Sequence, residues 1–153
     1  MTCVIQITGG KDVGKTALAE RIIARLKERG YTVVAVKLSH HDPEPPTKDT
    51  HRLRKAGADK VVFYNGEVYV VYKRGLECAE LDADFIIVEG LRGEKVGYKI
   101  HVGPDPPGDA DAVVPTPDAP VEIKCVEADP CAVLSALRRH PPPRTRWGVA
   151  PPH

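Results

Sequence analysis

Eight residues near the start of the chain carry the strongest chemical signal: Gly9-Gly10-Lys11-Asp12-Val13-Gly14-Lys15-Thr16. They fit the phosphate-loop pattern G-x-x-x-x-G-K-[ST], with Gly9 first, Gly14 sixth, and Lys15 and Thr16 closing it. The glycines let the backbone curl so that several N–H groups face one oxyanion. Lys15 brings a compact positive charge to the β- and γ-phosphates. The Thr16 hydroxyl suits Mg²⁺, which keeps most of its water and takes few protein ligands. Ala17 then carries the chain into a helix whose N-terminal dipole adds to the same anion site. The dinucleotide fingerprint G-x-G-x-x-G does not fit Gly9, Gly10 and Gly14.

A phosphate loop of this kind needs a second acid near the metal, at the carboxyl end of a buried strand. Asp84-Phe85-Ile86-Ile87-Val88-Glu89-Gly90 supplies that pattern, and Glu89 is the candidate; Asp84, at the other end, reads as a turn residue. Lys37-Leu38-Ser39-His40-His41-Asp42 falls at the carboxyl end of another strand, the edge where ligands bind in open α/β sheets. It reads either as a substrate, metal or water-positioning loop or as a solvated polar loop. Arg52, Arg54 and Lys55 offer a second anion site or a solvated helix face. Asp118, in a Pro-rich turn after a late strand, could accept from the N1 and N2 hydrogens of guanine.

These groups need elements to hold them. Residues 3–8 read as a buried strand entering the loop and residues 16–29 as the helix leaving it, with Leu18, Ile22 and Leu26 on one stripe and Gly30 as its stop. Residues 32–36 form a near-continuous apolar run, the pattern of a parallel strand covered on both faces. Asp49 or Thr50 can N-cap a short helix closed by Gly57. Residues 61–64 and 68–72 flank Asn65-Gly66, the signature of a hairpin with a two-residue type I′ turn. Tyr64, Tyr69 and Tyr72 then serve sheet packing. Residues 76–81 suggest a short helix, 98–102 an alternating strand, 113–114 a short strand and 121–126 a last strand. Asp129-Pro130 starts a final helix whose stripe is Val133, Leu134 and Leu137. The expected architecture is a P-loop α/β fold: a mostly parallel sheet with helices on both faces plus a β-hairpin. The expected organisation is one domain over 1–140 and a flexible Pro-rich tail over 141–153.

The 153 residues suffice for one α/β core. A formal net charge of +1 provides no global field for nucleic acid or membrane. The chain runs straight into a strand, so no signal peptide is expected, and no apolar run has the length of a membrane span. A cytoplasmic protein is the expectation. Cys3, Cys78, Cys125 and Cys131 lack C-x-x-C spacing, which disfavours zinc; four buried thiols are the simplest reading. The chain holds one Asn (Asn65), one Gln (Gln6) and one Met. Such depletion of thermolabile residues fits a heat-loving source, where a Cys125–Cys131 bridge is conceivable.

With these residues in view, the chain resembles the molybdopterin-guanine dinucleotide biosynthesis protein B (MobB) family. The resemblance rests on the phosphate loop, on Lys37-Leu38-Ser39-His40-His41-Asp42, on the run Lys48-Asp49-Thr50-His51-Arg52-Leu53-Arg54-Lys55-Ala56-Gly57-Ala58, and on Val88-Glu89-Gly90. It departs from the family at Thr47, where glycine is usual, and at Leu91-Arg92, where Phe-Lys is common. The resemblance implies a GTP-binding, Mg²⁺-dependent protein with slow hydrolysis, often a homodimer, assisting a MobA-like nucleotidyltransferase that joins GMP to molybdopterin. It implies that Lys15, Glu89 and Asp49 are catalytic, that Thr16 and Glu89 hold the metal, and that Gly9, Lys11, Asp12, Val13, Gly14, Lys15, Thr16, Ala17, Lys37, His40, His41, Asp42 and Arg52 lie about the nucleotide. Two other readings stay open: a small-molecule kinase using the same loop, and a nucleotide- or pterin-binding adaptor without chemistry.

Overall fold

A computed structural model describes residues 1–39, 48–73 and 75–139. They fall into two compact units, one of residues 1–39 and 77–139, the other of residues 48–73 with 75–76. The tail 141–153 and the His40, His41 and Asp42 candidates lie outside the described residues.

The first unit is built on β1 (Thr2–Gly9), α1 (Lys15–Glu28), β2 (Val33–Lys37), β5 (Phe85–Glu89), β6 (Tyr98–Val102), β7 (Ala112–Val114), β8 (Glu127–Ala128) and α3 (Pro130–Arg138). The second holds α2 (Asp49–Lys55), β3 (Lys60–Tyr64) and β4 (Tyr69–Lys73). The main sheet runs β2-β5-β1-β6-β7, all parallel, and β8 pairs antiparallel with Thr2 and Cys3 at the start of β1. β1 is the middle strand because every residue from Val4 to Thr8 is apolar or can satisfy its polar atoms internally. Ile5 and Ile7 point to the α1 face, where Leu18, Ile22 and Leu26 meet Phe85, Ile87, Tyr98 and Ile100 in the core. Alternation sends Gln6 and Thr8, with their β6 neighbours Lys99 and His101, to the opposite face.

These four side chains are polar yet buried, on a face they share with Val4, Ile86 and Val88. Gln6 donates to the carbonyls of Leu91 (2.7 Å) and Glu94 (2.9 Å) and accepts from Val96 N. Lys99, with a side chain 0% exposed, reaches Arg92 O at 2.9 Å and the Asp109 carboxylate at 2.8 Å. His101 bridges the Thr8 hydroxyl and Pro104 O. Gly97 passes close to Val4, where a Cβ would lie 2.7 Å from Val4 Cβ, closer than real carbons approach. These contacts fix the loops 90–97 and 103–111 at the carboxyl edge of the sheet.

Several expectations change. β2 is an edge strand, partly exposed along its length, because β5 separates it from β1. Its apolar run is not a mark of two covered faces. β6 is buried at every position despite its alternating pattern. Residues 121–126 form no strand: only Glu127–Ala128 pairs, while Val121 and Ile123 pack on the core by side chain alone. The flank of β1 beyond Ile5 is already taken by β6. The 76–81 helix is a single 3₁₀ turn, Cys78–Leu81, with a reciprocal Glu77–Glu80 capping box. The final helix matches expectation, with Asp129 Oδ1 accepting from Cys131 N at 2.8 Å and Pro130 in the first turn.

The cysteines are not free thiols, and Cys125 does not bridge to Cys131. Cys3 pairs with Cys125 and Cys78 with Cys131, at Cα separations of 5.0 and 4.9 Å. Residue 125 runs beside β1, where Val4 N donates to Val126 O, whereas Cys131 opens α3 over the 3₁₀ turn. Six residues of chain thus take the two sulfurs to different neighbours.

In the second unit, Lys48 rather than Asp49 or Thr50 is the N-cap of α2, and Asp49 stands in the first turn. The hairpin register pairs Tyr64 with Tyr69, which leaves a four-residue loop instead of a two-residue turn. Asn65 explains it: its Oδ1 accepts from Glu67 N and Val68 N, and Gly66 takes φ 97°. Arg54 is buried, stacked 5.4 Å from the Tyr72 ring centroid, so it is no solvated cation. Tyr64 and Tyr69 stand opposite each other in the hairpin register and are each 66% exposed. Among the described residues no helix is long and apolar enough to cross a membrane.

Asp84 ties the far end of the sheet together. Its carboxylate accepts from Thr32 N (2.8 Å) and Thr32 Oγ1 (3.1 Å), and these bonds hold it below the usual carboxylate range. A lowered folded pKa stabilises the fold above the ordinary value of 3.8, and that contribution is lost as pH falls below it. Urea midpoints measured between about pH 5 and pH 2 are expected to fall less steeply for Asp84→Asn than for the parent. Parallel acid limbs would remove Asp84 from the account.

Candidate functional site

The turn between β1 and α1 is shaped by contacts that glycine alone allows. A Cβ on Gly9 would lie 2.8 Å from both Val102 O and Val13 Cγ2. Gly14 takes φ 99° and Asp12 φ 58°, so the loop passes twice through the left-handed region. The Val13 side chain packs inward on the core beside Gly103, which leaves only its backbone for a ligand. Gly14 is the N-cap of α1, with no side chain capping it. The first-turn N–H groups therefore have no intrahelical partner.

A cleft of about 560 Å³ opens over this turn, within the usual size range of ligand sites. Lys11, Asp12, Gly14, Lys15, Thr16 and Ala17 line one side; Lys37, Leu38, Glu89 and Gly90 line the other. Glu89 arrives there because β5 lies between β1 and β2, opposite Ile7 on one side and Lys37 on the other. Thr16 Oγ1 stands 3.1 and 3.2 Å from the two carboxylate oxygens of Glu89. Three lysines against two acids give the cleft a cationic lining suited to a polyanion.

An oxygen-only pair of hydroxyl and carboxylate, flanked by lysines, fits Mg²⁺ bound mainly through water and phosphate oxygens. Among the described residues no cluster of three or more His, Cys, Asp and Glu is arranged to hold a metal.

The sequence-predicted residues divide into groups. Lys11, Asp12, Gly14, Lys15, Thr16, Ala17, Lys37 and Glu89 come together in the cleft, with Gly9 and Val13 beneath them. Asp118 lies on a separate turn whose Pro117 rests against Gly14: a Cβ on Gly14 would be 2.6 Å from Pro117 Cγ. The Asp118 carboxyl is held below its ordinary range, first by the Thr116 hydroxyl, then by its own backbone N–H, with the Arg21 charge adding to them. Asp49 and Arg52 stand on α2 in the second unit, with exposed side chains 3.9 Å apart.

Leu38 and Gly90, which the sequence marks only as parts of family-like runs, also line the cleft. Gly90 follows the strand-end acid at φ 126°, where an added Cβ would lie 3.1 Å from Leu38 Cβ. A glycine directly after a strand-end carboxylate is the signal that points to such a close approach. Arg21 left no signal, since a cation on a helix face reads as solvation.

Known proteins share this fold. A crystal structure of MobB from Bacillus subtilis is 26% identical and superimposes with a TM-score of 0.51, covering 65% of this chain and 66% of that one. A second B. subtilis MobB structure, 20% identical with a TM-score of 0.53, covers 87% and 96% and speaks for the fold alone. The fold is that of a P-loop NTPase. The molybdopterin-guanine dinucleotide biosynthesis adapter protein of Haemophilus influenzae is 30% identical over 105 residues, 61% of this chain and 59% of that protein. Its Escherichia coli counterpart is 31% identical over 97 residues, 54% and 55%. The chain thus spans a little under three-fifths of the length of these curated relatives. The family model for molybdopterin guanine dinucleotide synthesis protein B matches residues 4–110, and the chain belongs to that family.

Proposed function

We propose that this chain binds GTP with Mg²⁺, hydrolyses it slowly by itself, and serves as an accessory protein in guanine-dinucleotide assembly of the molybdenum or tungsten cofactor. The observation that carries the reading is the convergence of Lys15, Thr16 and Glu89 in one lysine-lined cleft. Lys15 neutralises β- and γ-oxygens; Thr16 and Glu89 hold Mg²⁺, which when bound stabilises the charge on the transferring phosphoryl group. Water attacks the γ-phosphorus in line, the bond to the bridging oxygen breaks, and GDP and phosphate leave. The described cleft lining contains neither Gln nor Arg to orient that water, which is why hydrolysis is slow. His40, His41, Asp42, Asp49 and Arg52 belong to this reading by family resemblance alone.

Its partners in this reading are a MobA-like guanylyltransferase, molybdopterin and a second copy of the chain. The hairpin supports a protein partner: Val62, Phe63, Tyr64 and Tyr69 are each at least half exposed on a two-stranded ribbon, which alone is marginally stable. The reading places the protein in the cytoplasm, where two disulfides persist mainly in heat-loving organisms.

Melting curves with GTP, ATP, GDP and ADP, each with and without Mg²⁺, test the proposal. GTP with Mg²⁺ at a hundredfold its Kd is expected to add about 2.7 kcal/mol, and Lys15→Ala to abolish the gain. Released phosphate identifies hydrolysis; a phosphorylated metabolite would indicate a kinase. No shift with any nucleotide, or unassisted turnover well above about 1 s⁻¹, would contradict the proposal.

A further inference from the structure

We propose that Arg21 is a specificity-positioning residue: from α1 it fixes the turn carrying Asp118 so that this carboxylate reads guanine. The inference rests on the nucleotide reading above and deepens it.

Arg21 does not behave as a surface cation. Its guanidinium donates to Asp118 O at 3.1 Å and to Ala119 O at 2.6 Å. Its Nε is buried without a partner. Turning a guanidinium off a helix face costs hydration and leaves one donor unsatisfied. Two carbonyls of a single turn take the other nitrogens, so what Arg21 stabilises is the position of that turn.

The turn is held at three points. β7 delivers it at the ligand edge, paired with β6 as far as Val114. Pro117 rests on Gly14, the N-cap of the phosphate-loop helix. Arg21, farther along the same helix, holds the carbonyls of Asp118 and Ala119. Within it, Ala119 N donates to Thr116 O at 3.2 Å, and Thr116 Oγ1 donates to Asp118 Oδ1 at 2.5 Å. Thr116 therefore occupies one carboxylate oxygen and orients the group. An ionised carboxylate can accept from guanine N1–H and N2–H together; adenine presents an acceptor at N1 and no amino group at C2. Arg21 is absent from the lining of the phosphate cleft, so its removal leaves Lys15, Thr16 and Glu89 in place. The whole device except Gly14 and Arg21 lies beyond residue 110, outside the family match.

The test measures dissociation constants for GTP, ITP, ATP and inorganic triphosphate with Mg²⁺, for the parent, Arg21→Ala, Arg21→Lys and Thr116→Val. ITP lacks the 2-amino group, so the GTP/ITP ratio isolates that contact. The parent is expected to prefer GTP to ITP and ATP. Arg21→Ala should weaken GTP roughly ten-fold, bringing it near ITP, while ATP and triphosphate stay within about two-fold. Arg21→Lys, keeping one donor, should recover part of the preference. Thr116→Val should lose it without altering α1, which keeps the idea testable if Arg21→Ala folds poorly. An unchanged GTP/ITP ratio in both Arg21→Ala and Thr116→Val overturns the proposal, as does equal weakening of all four ligands. A parent that binds triphosphate but cannot tell GTP from ATP also overturns it, while sparing the phosphate site. A parent that binds none of the four overturns both.

Discussion

Reducing both disulfides is expected to lower the melting temperature by on the order of 10–20 °C. Cys3–Cys125 closes 122 residues of chain and Cys78–Cys131 closes 53. Loop-closure entropy sets ceilings of roughly 5 and 4 kcal/mol, and native bridges commonly deliver about 2–4 kcal/mol each. Both fasten the segment from residue 121 to α3, which is otherwise held by the two-residue strand β8, the Val4 N–Val126 O bond, the buried stripe of α3 and the Arg139–Glu94 ion pair. Cys125→Ser and Cys131→Ser should each give part of the loss, and the double variant less than the sum, because the bridges constrain the same stretch. Thiol titration of the unreduced, denatured protein should find no free thiols. Four titratable groups, or a melting point that reductant does not move, would sink the assignment.

Lys99→Ala should cost about 3–5 kcal/mol, because breaking a buried pair combines lost hydrogen bonds with a cavity in the sheet. The side chain is 0% exposed, and both its partners hold loops against the sheet: Arg92 O one, Asp109 the other. Lys99→Met retains most of the stem and should recover about half of the loss. Asp109→Asn should cost less, about 1–3 kcal/mol: it leaves the sealed Lys99 ammonium without its counter-charge but keeps an oxygen acceptor, and its own side chain is 41% exposed. The asymmetry separates a buried tether from an ordinary ion pair, whose two ends would cost alike. Chemical denaturation of the three variants measures it; a Lys99→Ala midpoint within error of the parent would dismiss the tether.

The phosphate loop, its flanking strand and helix, and Glu89 could be read from sequence because each is a local pattern with one physical solution. Glycine spacing sets the turn, and a four-residue apolar run fixes which end of β5 the acid occupies. What escaped depends on neighbours. Tyr98-Lys99-Ile100-His101-Val102 alternates like a half-exposed strand, but loops from residues 90–97 and 103–111 bring partners that let the lysine and histidine be buried. Residues 121–126 alternate as well, yet no strand edge remains for them. Val33 to Val36 are as apolar as an interior strand, although β5 takes the interior place. Asn65-Gly66 announced a hairpin correctly, but the asparagine side chain bonded two backbone N–H groups and widened the turn. The cysteine pairing and the grip of Arg21 are products of topology, invisible until distant residues meet.

The two side-chain amides this chain retains are both restrained. Gln6 is sealed in the sheet with its carboxamide fully engaged, and the oxygen of Asn65 is occupied by the turn it builds. Hydrolysis of Gln6 must first wait for those bonds to open. For a molecule held long at high temperature, ageing at Gln6 would then follow local unfolding instead of setting its own pace, and whatever tightens the sheet would also postpone it.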